Sequence, residues 1–224
     1  MTLSEKAYLA IRRDILQGVL VADQPLRMAD LSETYKMGFS PLREALSRLQ
    51  VERLVLAEAL RGFKVAPMSV DELWDATSTR IQIEGEALRL SIKYGDDDWS
   101  ASIVAALYHL KLQVDRAKVA KIDVWEVQSR HYAFHRALLA ACRSPWRLEF
   151  FDRLYAATER YRLPALLGPG QSGQPDRDIQ AEHSALADAT LARDADVAVK
   201  LLAAHYEKTA LAIGHKMQRA GSEI

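Results

Sequence analysis

The first third of the chain is a series of short amphipathic segments. Apolar residues recur every three to four positions in segments of roughly residues 4–17, 28–36 and 40–53, a spacing that predicts three helices. Ser4 suits the N-cap of the first helix, and Pro41 suits the first turn of the third helix, which is expected to open at Ser40.

A small hairpin is predicted after the third helix. Two short apolar runs, Leu54–Ala59 and Phe63–Ala66, flank the turn-like residues 60–62, and Pro67 closes the segment. Three helices followed by a hairpin are the order of elements in a winged helix-turn-helix. We therefore predict that residues 1–67 form this DNA-binding unit.

The remainder of the chain is predicted to be entirely helical. Its apolar pattern and its breaks at Gly, Pro, Ser and Asp residues predict six helices, at roughly 69–94, 97–117, 123–142, 145–167, 176–192 and 195–220. The Gly/Pro/Ser-rich tract 168–175 is the longest predicted loop. The expected fold class is mostly α, with an all-α six-helix bundle over residues 68–224 after the winged helix.

Composition and charge exclude few classes of protein. Hydrophobic residues make up 49% and charged residues 27%, as in globular proteins, and the formal net charge is zero. Residues 1–67 carry a net charge of +2 and residues 68–224 a net charge of −2, too small a difference to indicate nucleic-acid binding. A single cysteine, Cys142, excludes an intramolecular disulfide and multi-cysteine zinc motifs. With no signal-like leader and no membrane-length apolar run, a cytoplasmic protein is expected.

The third predicted helix has two distinct faces. One face is apolar and is formed by Leu42, Ala45, Leu46 and Leu49, whereas the opposite face is short-chained and polar and is formed by Ser40, Arg43, Ser47 and Gln50. A helix that enters the major groove needs such a polar face, although any surface helix also satisfies this pattern. We take Ser40, Arg43 and Ser47 as candidate DNA-binding residues.

Four of the six histidines can converge in the helical segment. His131 and His135 are four residues apart and so project from one helix face, as metal-binding pairs do. His183 and His205 lie about 15 Å and about 16 Å from the turn at residues 193–194, so that an antiparallel helix pair places them at the same height. A metal or ligand pocket and a set of packed core histidines both remain open at this point.

The motifs SPLREALSRLQVERLV and RGFKV in the N-terminal segment resemble the GntR family of bacterial transcription regulators over residues 5–67. The resemblance implies DNA contacts from the start of the third helix and from the wing tip, which here are Ser40, Pro41, Arg43, Arg61 and Gly62. The family usually has an Arg between the Ser and the Pro, but here these two residues are adjacent and follow Gly38 and Phe39.

The motifs DATSTRIQIEGEALRL, RHYAFHRALLAAC and AEHSALADATLARDADVAVKLLAAHYEKT resemble the FCD ligand-binding domain of one GntR subfamily, in its shorter VanR-like form, over about residues 69–218. Members with a metal site use one Asp and three His. The three histidines match His135, His183 and His205, and His131 occupies the Asp position. The resemblance thus implies a divalent metal, and four imidazoles favour Zn²⁺ or Ni²⁺ over ions that prefer oxygen.

An anionic effector would balance the charge of such an ion. Guanidinium groups pair well with carboxylates, and this singles out Arg80, Arg160 and Arg162 as candidate effector-binding residues, with a surface ion pair as the alternative for each. The RHxAFH motif and the downstream ERYR also resemble the branch that contains carbon-starvation-induced, glutarate-responsive repressors. This resemblance implies a small dicarboxylate such as glutarate.

Three functions are compatible with these features: a ligand-responsive transcription regulator, a helical metalloenzyme or metal sensor that uses the histidine cluster, and a helical scaffold. Neither an enzyme nor a scaffold needs a winged helix, and no HExxH-like pairing occurs. We therefore expect a regulator and not an enzyme. It is expected to bind double-stranded DNA as a homodimer on a palindromic operator, to act as a repressor, to respond to a small organic acid, and to have no membrane partner.

Overall fold

The structure, a computed structural model, describes residues 1–119, 124–167 and 177–222. Its elements in chain order are α1 (Leu3–Leu16), β1 (Pro25–Leu26), α2 (Met28–Tyr35), α3 (Phe39–Val51), β2 (Val55–Glu58), β3 (Gly62–Val65), α4 (Val70–Tyr94), α5 (Asp97–Val119), α6 (Val124–Leu139), α7 (Pro145–Leu167), α8 (Ile179–Leu191) and α9 (Ala195–Ser222). The predicted fold class is confirmed, whereas the predicted loop at 168–175 lies outside the described residues.

The chain divides into two compact units. The first comprises Met1–Glu72 together with Ala156–Gln171, and the second comprises Leu73–Tyr155 together with Ser172–Ile224. Both α4 and α7 therefore begin in one unit and end in the other.

The first unit is a winged helix-turn-helix. Helices α1 and α3 pack together, Ile11 of α1 is fully buried, and the apolar face of α3 is also fully buried. The strands form an antiparallel sheet in the order β1-β3-β2, with Val55 of β2 opposite Val65 of β3. The turn between β2 and β3 uses left-handed backbone at Leu60 (φ 62°) and at Gly62 (φ 91°), which glycine adopts without strain. The two-residue strand β1 had no sequence signal, because it exists only through its pairing with β3.

Two predicted helix starts were wrong by one or two residues. Thr2, not Ser4, caps α1, because its hydroxyl accepts a hydrogen bond from the Glu5 amide at 3.1 Å. The α3 helix begins at Phe39 with Gly38 at its N-cap, and not at Ser40. Both helices begin earlier than predicted, so that Ser4 and Ser40 lie within the first turn of their helices.

The second half of α7 packs within the first unit. Arg12 of α1 donates hydrogen bonds to Glu52 at 2.9 Å and to Glu159 of α7 at 2.5 Å. Arg160 donates a short hydrogen bond to the carbonyl of Ala66, just after β3. These contacts hold the end of α7 against the winged helix, which a domain boundary at residue 67 did not anticipate.

The second unit is helical throughout its described part. Its core contains Leu88, Ile103, Phe134, Phe151 and Leu202, which come from five different helices and are almost fully buried. No helix within the described ranges has the length and apolar character needed to span a membrane.

The junction between α4 and α5 is tightly packed. Gly95 lies there against the ring of Trp99, and a Cβ on this glycine would be 2.0 Å from that ring. The Trp99 indole is held in place because its Nε1 donates to the Ala137 carbonyl at 2.8 Å.

Candidate DNA-binding face and histidine site

The α3 helix presents the polar face that the sequence predicted. Its four apolar positions are fully buried: Leu42, Ala45, Leu46 and Leu49. On the opposite side the exposed residues are Ser40, Arg43, Ser47 and Gln50, while Pro41 is half-buried in the first turn. The Ser47 hydroxyl donates to the Arg43 carbonyl at 3.0 Å, so it is partly satisfied by its own helix.

Contacts from α1 hold α3 in position. The Ser4 hydroxyl donates to Glu44 at 2.6 Å, and the guanidinium of Arg48 lies 4.0 Å above the Tyr8 ring. The Tyr8 hydroxyl makes a short hydrogen bond to Glu52, which follows α3. Burial and this hydrogen bond raise the pKa of Tyr8 to about 12, so that its hydroxyl stays protonated as a donor.

The wing and the start of α3 are solvent-accessible. Arg61 and Gly62 at the wing tip are exposed, as expected. Nearby, the ammonium of Lys64 lies 3.1 Å from Glu58 and 3.2 Å from Asp23. The start of α3 also exposes Phe39, with 52% of its surface accessible. The sequence contained one signal for this residue, namely an aromatic ring just before a polar helix face.

Four histidines from three helices form one cluster. His131 and His135 lie on α6, His183 on α8 and His205 on α9, and each has a ring nitrogen within 4.8 Å of those of the others. His131 is half-buried, and the other three are buried. The residues that the sequence placed at one height are thus brought together.

Hydrogen bonds orient the two α6 histidines, and they assign the tautomer of His135. The Tyr206 hydroxyl donates to Glu84 at 2.5 Å, so its oxygen accepts from Nδ1 of His135 at 3.1 Å. The Tyr155 hydroxyl lies 2.9 Å from Nδ1 of His131 and 3.4 Å from the Gln128 carbonyl. With Nδ1 protonated, His135 presents the lone pair of its Nε2 towards Nε2 of His131, 3.2 Å away.

His205 is oriented by a carboxylate in the same way. Its Nδ1 donates to Glu182 at 2.8 Å, and Glu182 also accepts from Arg177 at 2.6 Å. Partial burial would raise the pKa of Glu182, but the hydrogen bonds from His205 and Arg177 lower it below its ordinary value. The group is therefore a carboxylate at neutral pH, and it fixes the proton of His205 on Nδ1.

Three histidines of the cluster favour the neutral imidazole. Burial lowers the pKa of His135, His183 and His205 below the ordinary histidine value, and the neighbouring histidines reinforce this for His135 and His183. Nε2 of His183 is buried and has no hydrogen-bond partner within the described part of the chain. Nitrogen lone pairs in a buried site favour a cation that accepts them.

The predicted effector-binding arginines lie in different places. Arg80 is buried in the second unit, where its Nε donates to Glu84 at 2.7 Å and its guanidinium lies 4.2 Å from the Tyr206 ring. Burial opposes its charge, but Glu84 raises the pKa of Arg80 above its ordinary value. Arg160 and Arg162 belong to the first unit, and Arg162 donates to Thr158 at 2.9 Å. Only Arg80 thus shares a unit with the histidines.

Sequence reasoning missed the residues that orient the histidines. Tyr155, Tyr206, Glu182 and Arg177 surround the cluster, and Glu84 extends it towards Arg80. A partial signal existed, because Glu182 and Tyr206 are sequence neighbours of His183 and His205.

A winged helix-turn-helix with an exposed polar helix, joined to a helical bundle with a buried polar cluster, defines a DNA-binding regulator with a ligand-binding domain. Comparison with protein families gives the same class: residues 3–65 match the model "Bacterial regulatory proteins, gntR family", and residues 75–208 match the model "FCD domain". The chain belongs to the GntR family of transcription regulators, in the group with an FCD domain.

Individual relatives agree with this assignment. The chain is 39% identical over 211 residues to the HTH-type transcriptional regulator BphR of Paraburkholderia xenovorans (strain LB400), which covers 93% of this chain and 84% of that protein. It is 37% identical over 199 residues to the HTH-type transcriptional repressor GlaR of Escherichia coli (strain K12), covering 88% and 90%. The E. coli McbR/YncC structure has the same fold, with a TM-score of 0.74, 19% identity, and coverage of 97% and 99%. The families matched and the relatives BphR and GlaR are transcription regulators, which confirms the prediction that the chain is not an enzyme.

Proposed function

We propose that this regulator is a repressor that binds a palindromic operator as a homodimer, and that a small organic acid changes this binding at a metal ion held by His131, His135, His183 and His205. The observation that carries the proposal is the convergence of imidazole nitrogens in one buried site, three of them with Nδ1 occupied by a hydrogen bond. The homodimer follows from operator symmetry, because two-fold sites are read by two-fold proteins. The name of the relative GlaR supports repression.

The donor set fits Zn²⁺ or Ni²⁺. The 3.2 Å between the Nε2 atoms of His131 and His135 is close to the separation of about 3.3 Å between nitrogens bound tetrahedrally at about 2.05 Å. Without a cation or proton between them, two lone pairs at this distance repel. Four imidazoles carry no charge, whereas the ion carries +2, so a bound ion attracts an anion.

A dicarboxylate such as glutarate fits that requirement. When bound, the ion would act as a Lewis acid that accepts a carboxylate oxygen. Two buried or half-buried cations lie beside the histidines: Arg80, linked to His135 through Glu84 and Tyr206, and Arg177, 3.4 Å from Nδ1 of His205. Each already pairs with a carboxylate, Glu84 or Glu182, so the acid would have to share that guanidinium, and we assign Arg80 as the second contact of the acid. Arg160 and Arg162, which belong to the first unit, stay predictions.

The acid would act on operator binding by shifting the regulator between two states that differ in their affinity for DNA. An effector shifts DNA binding only by its differential affinity for two states, typically about 1–3 kcal/mol.

The test uses full-length protein and an operator obtained by selection from random DNA. Elemental analysis of the purified protein measures bound metal, and fluorescence anisotropy measures operator binding with and without glutarate, before and after chelator treatment. His135→Ala is expected to lose metal and the response to glutarate while keeping operator binding. His109→Ala, at an exposed histidine of α5, is the matched control and is expected to behave as the wild type.

Each part of the proposal fails separately. If the protein neither contains nor binds metal but glutarate still releases DNA, the ion is dispensable. If Zn²⁺ or Ni²⁺ alone changes operator binding and no organic acid does, the four-histidine site is that of a metal sensor. That alternative is supported by the complete set of four protein ligands, which is typical of closed sites.

A further inference from the structure

The recognition helix begins with an exposed apolar side chain. Phe39 is the first residue of α3, and 52% of its surface is accessible, whereas Leu42 in the next turn is fully buried. Its neighbours on the exposed side, Ser40 and Arg43, are polar. An aromatic ring that faces water gains free energy when a partner covers it, so its position indicates a contact surface.

DNA is the partner that this position meets. In helix-turn-helix proteins the first residues of the recognition helix approach base edges in the major groove. Among the groups displayed there, the 5-methyl of thymine is the apolar one, and aromatic and small apolar side chains pack against it. Phe39 carries no side-chain donor or acceptor and so cannot bind the polar edges of guanine, adenine or cytosine.

We propose that Phe39 is a specificity-determining residue that reads a thymine methyl group in each half of the operator. Ser40 and Arg43 beside it provide the polar contacts to neighbouring bases and phosphates. This inference depends on DNA binding by the winged helix and not on the histidine site, so it stands or falls separately from the effector proposal.

The experiment removes the methyl group without changing the protein. An operator is selected from random DNA with the full-length protein, and each thymine is then replaced in turn by deoxyuridine, which differs only by the absent methyl. We expect one thymine per half-site at which replacement by deoxyuridine weakens binding. The affinity is expected to fall about threefold to fivefold for each methyl removed, because burial of one such group contributes about that ratio.

Variants of Phe39 link that thymine to this side chain. Phe39→Ala is expected to bind the thymine operator about tenfold more weakly and to bind the thymine and deoxyuridine operators equally. Phe39→Leu keeps an apolar contact and is expected to retain part of the methyl dependence. Val51→Ala is the matched control, because Val51 is a 73% exposed apolar residue at the other end of α3. Thermal unfolding of each variant checks that the fold is intact.

Three results would overturn the proposal. In the first, the wild-type protein binds every deoxyuridine operator as tightly as the thymine operator. In the second and third, Phe39→Ala binds the thymine operator as tightly as the wild type does, or still binds the deoxyuridine operator more weakly than the thymine operator. Because the deoxyuridine series uses unmodified protein, a variant that fails to fold does not prevent the test. The proposal is supported if removal of one thymine methyl weakens binding by the wild type and has no effect on binding by Phe39→Ala.

Discussion

Tyr206 holds together the two halves of the buried polar network, and its hydroxyl can be removed with little change in shape. In Tyr206→Phe the Glu84 carboxylate, which is fully buried, loses the hydrogen bond of 2.5 Å, and Nδ1–H of His135 loses its acceptor. The stacking of Arg80 on the ring is kept, because phenylalanine has the same aromatic face. The substitution therefore isolates the hydroxyl group.

Two effects are expected, and their sizes follow from the contacts. Each buried polar group that loses its partner costs about 1–3 kcal/mol, so the loss at these two groups is expected to lower the unfolding free energy of the metal-free protein by about 2–6 kcal/mol. Without its acceptor, His135 is no longer held in the tautomer and orientation that presents Nε2. Loss of such an orienting contact typically lowers metal affinity about 10–100-fold.

Urea unfolding of chelator-treated protein measures the first effect, and competition with a chromophoric chelator for Zn²⁺ measures the second. Tyr132→Phe is the control, because the Tyr132 hydroxyl donates to Asp152 at 2.7 Å outside the cluster. It is expected to cost stability and to leave metal affinity unchanged. If Tyr206→Phe binds Zn²⁺ as tightly as the wild type, the tautomer assignment at His135 is wrong.

Two further predictions concern DNA contacts and pH. Arg43→Ala is expected to weaken operator binding by about 1–3 kcal/mol if the guanidinium contacts a base, or to reduce the salt dependence of binding if it contacts a phosphate; a gel shift equal to that of the wild type at all salt concentrations would remove Arg43 from the interface. Because burial lowers the pKa of His135, His183 and His205, the unfolded chain binds protons from about pH 6.5 downwards that the folded chain does not. The unfolding free energy of the metal-free protein is therefore expected to be highest above that pH and to fall by up to about 1.4 kcal/mol per pH unit for each histidine as the pH decreases; urea titrations that give a constant value between pH 7 and pH 5 would contradict this.

The sequence by itself determined the features that depend on local periodicity. Helix formation depends on neighbours three and four residues apart, so the buried stripe of α3 and the exposed Arg43 could be predicted from the chain alone. The same rise per residue placed His183 and His205 at equal distances from their turn, and the structure brings them together.

Only the tertiary structure decided which side chains of different helices contact each other. Tyr155, Glu182 and Tyr206 come from three different helices, and nothing in the spacing of the histidines indicates which side chain occupies each Nδ1. Likewise, Arg160 belongs to the ERYR motif and is a predicted effector-binding residue, yet it lies in the first unit, where it donates to the Ala66 carbonyl. These contacts join residues far apart in the chain, and their choice depends on how whole helices pack, which no local pattern encodes.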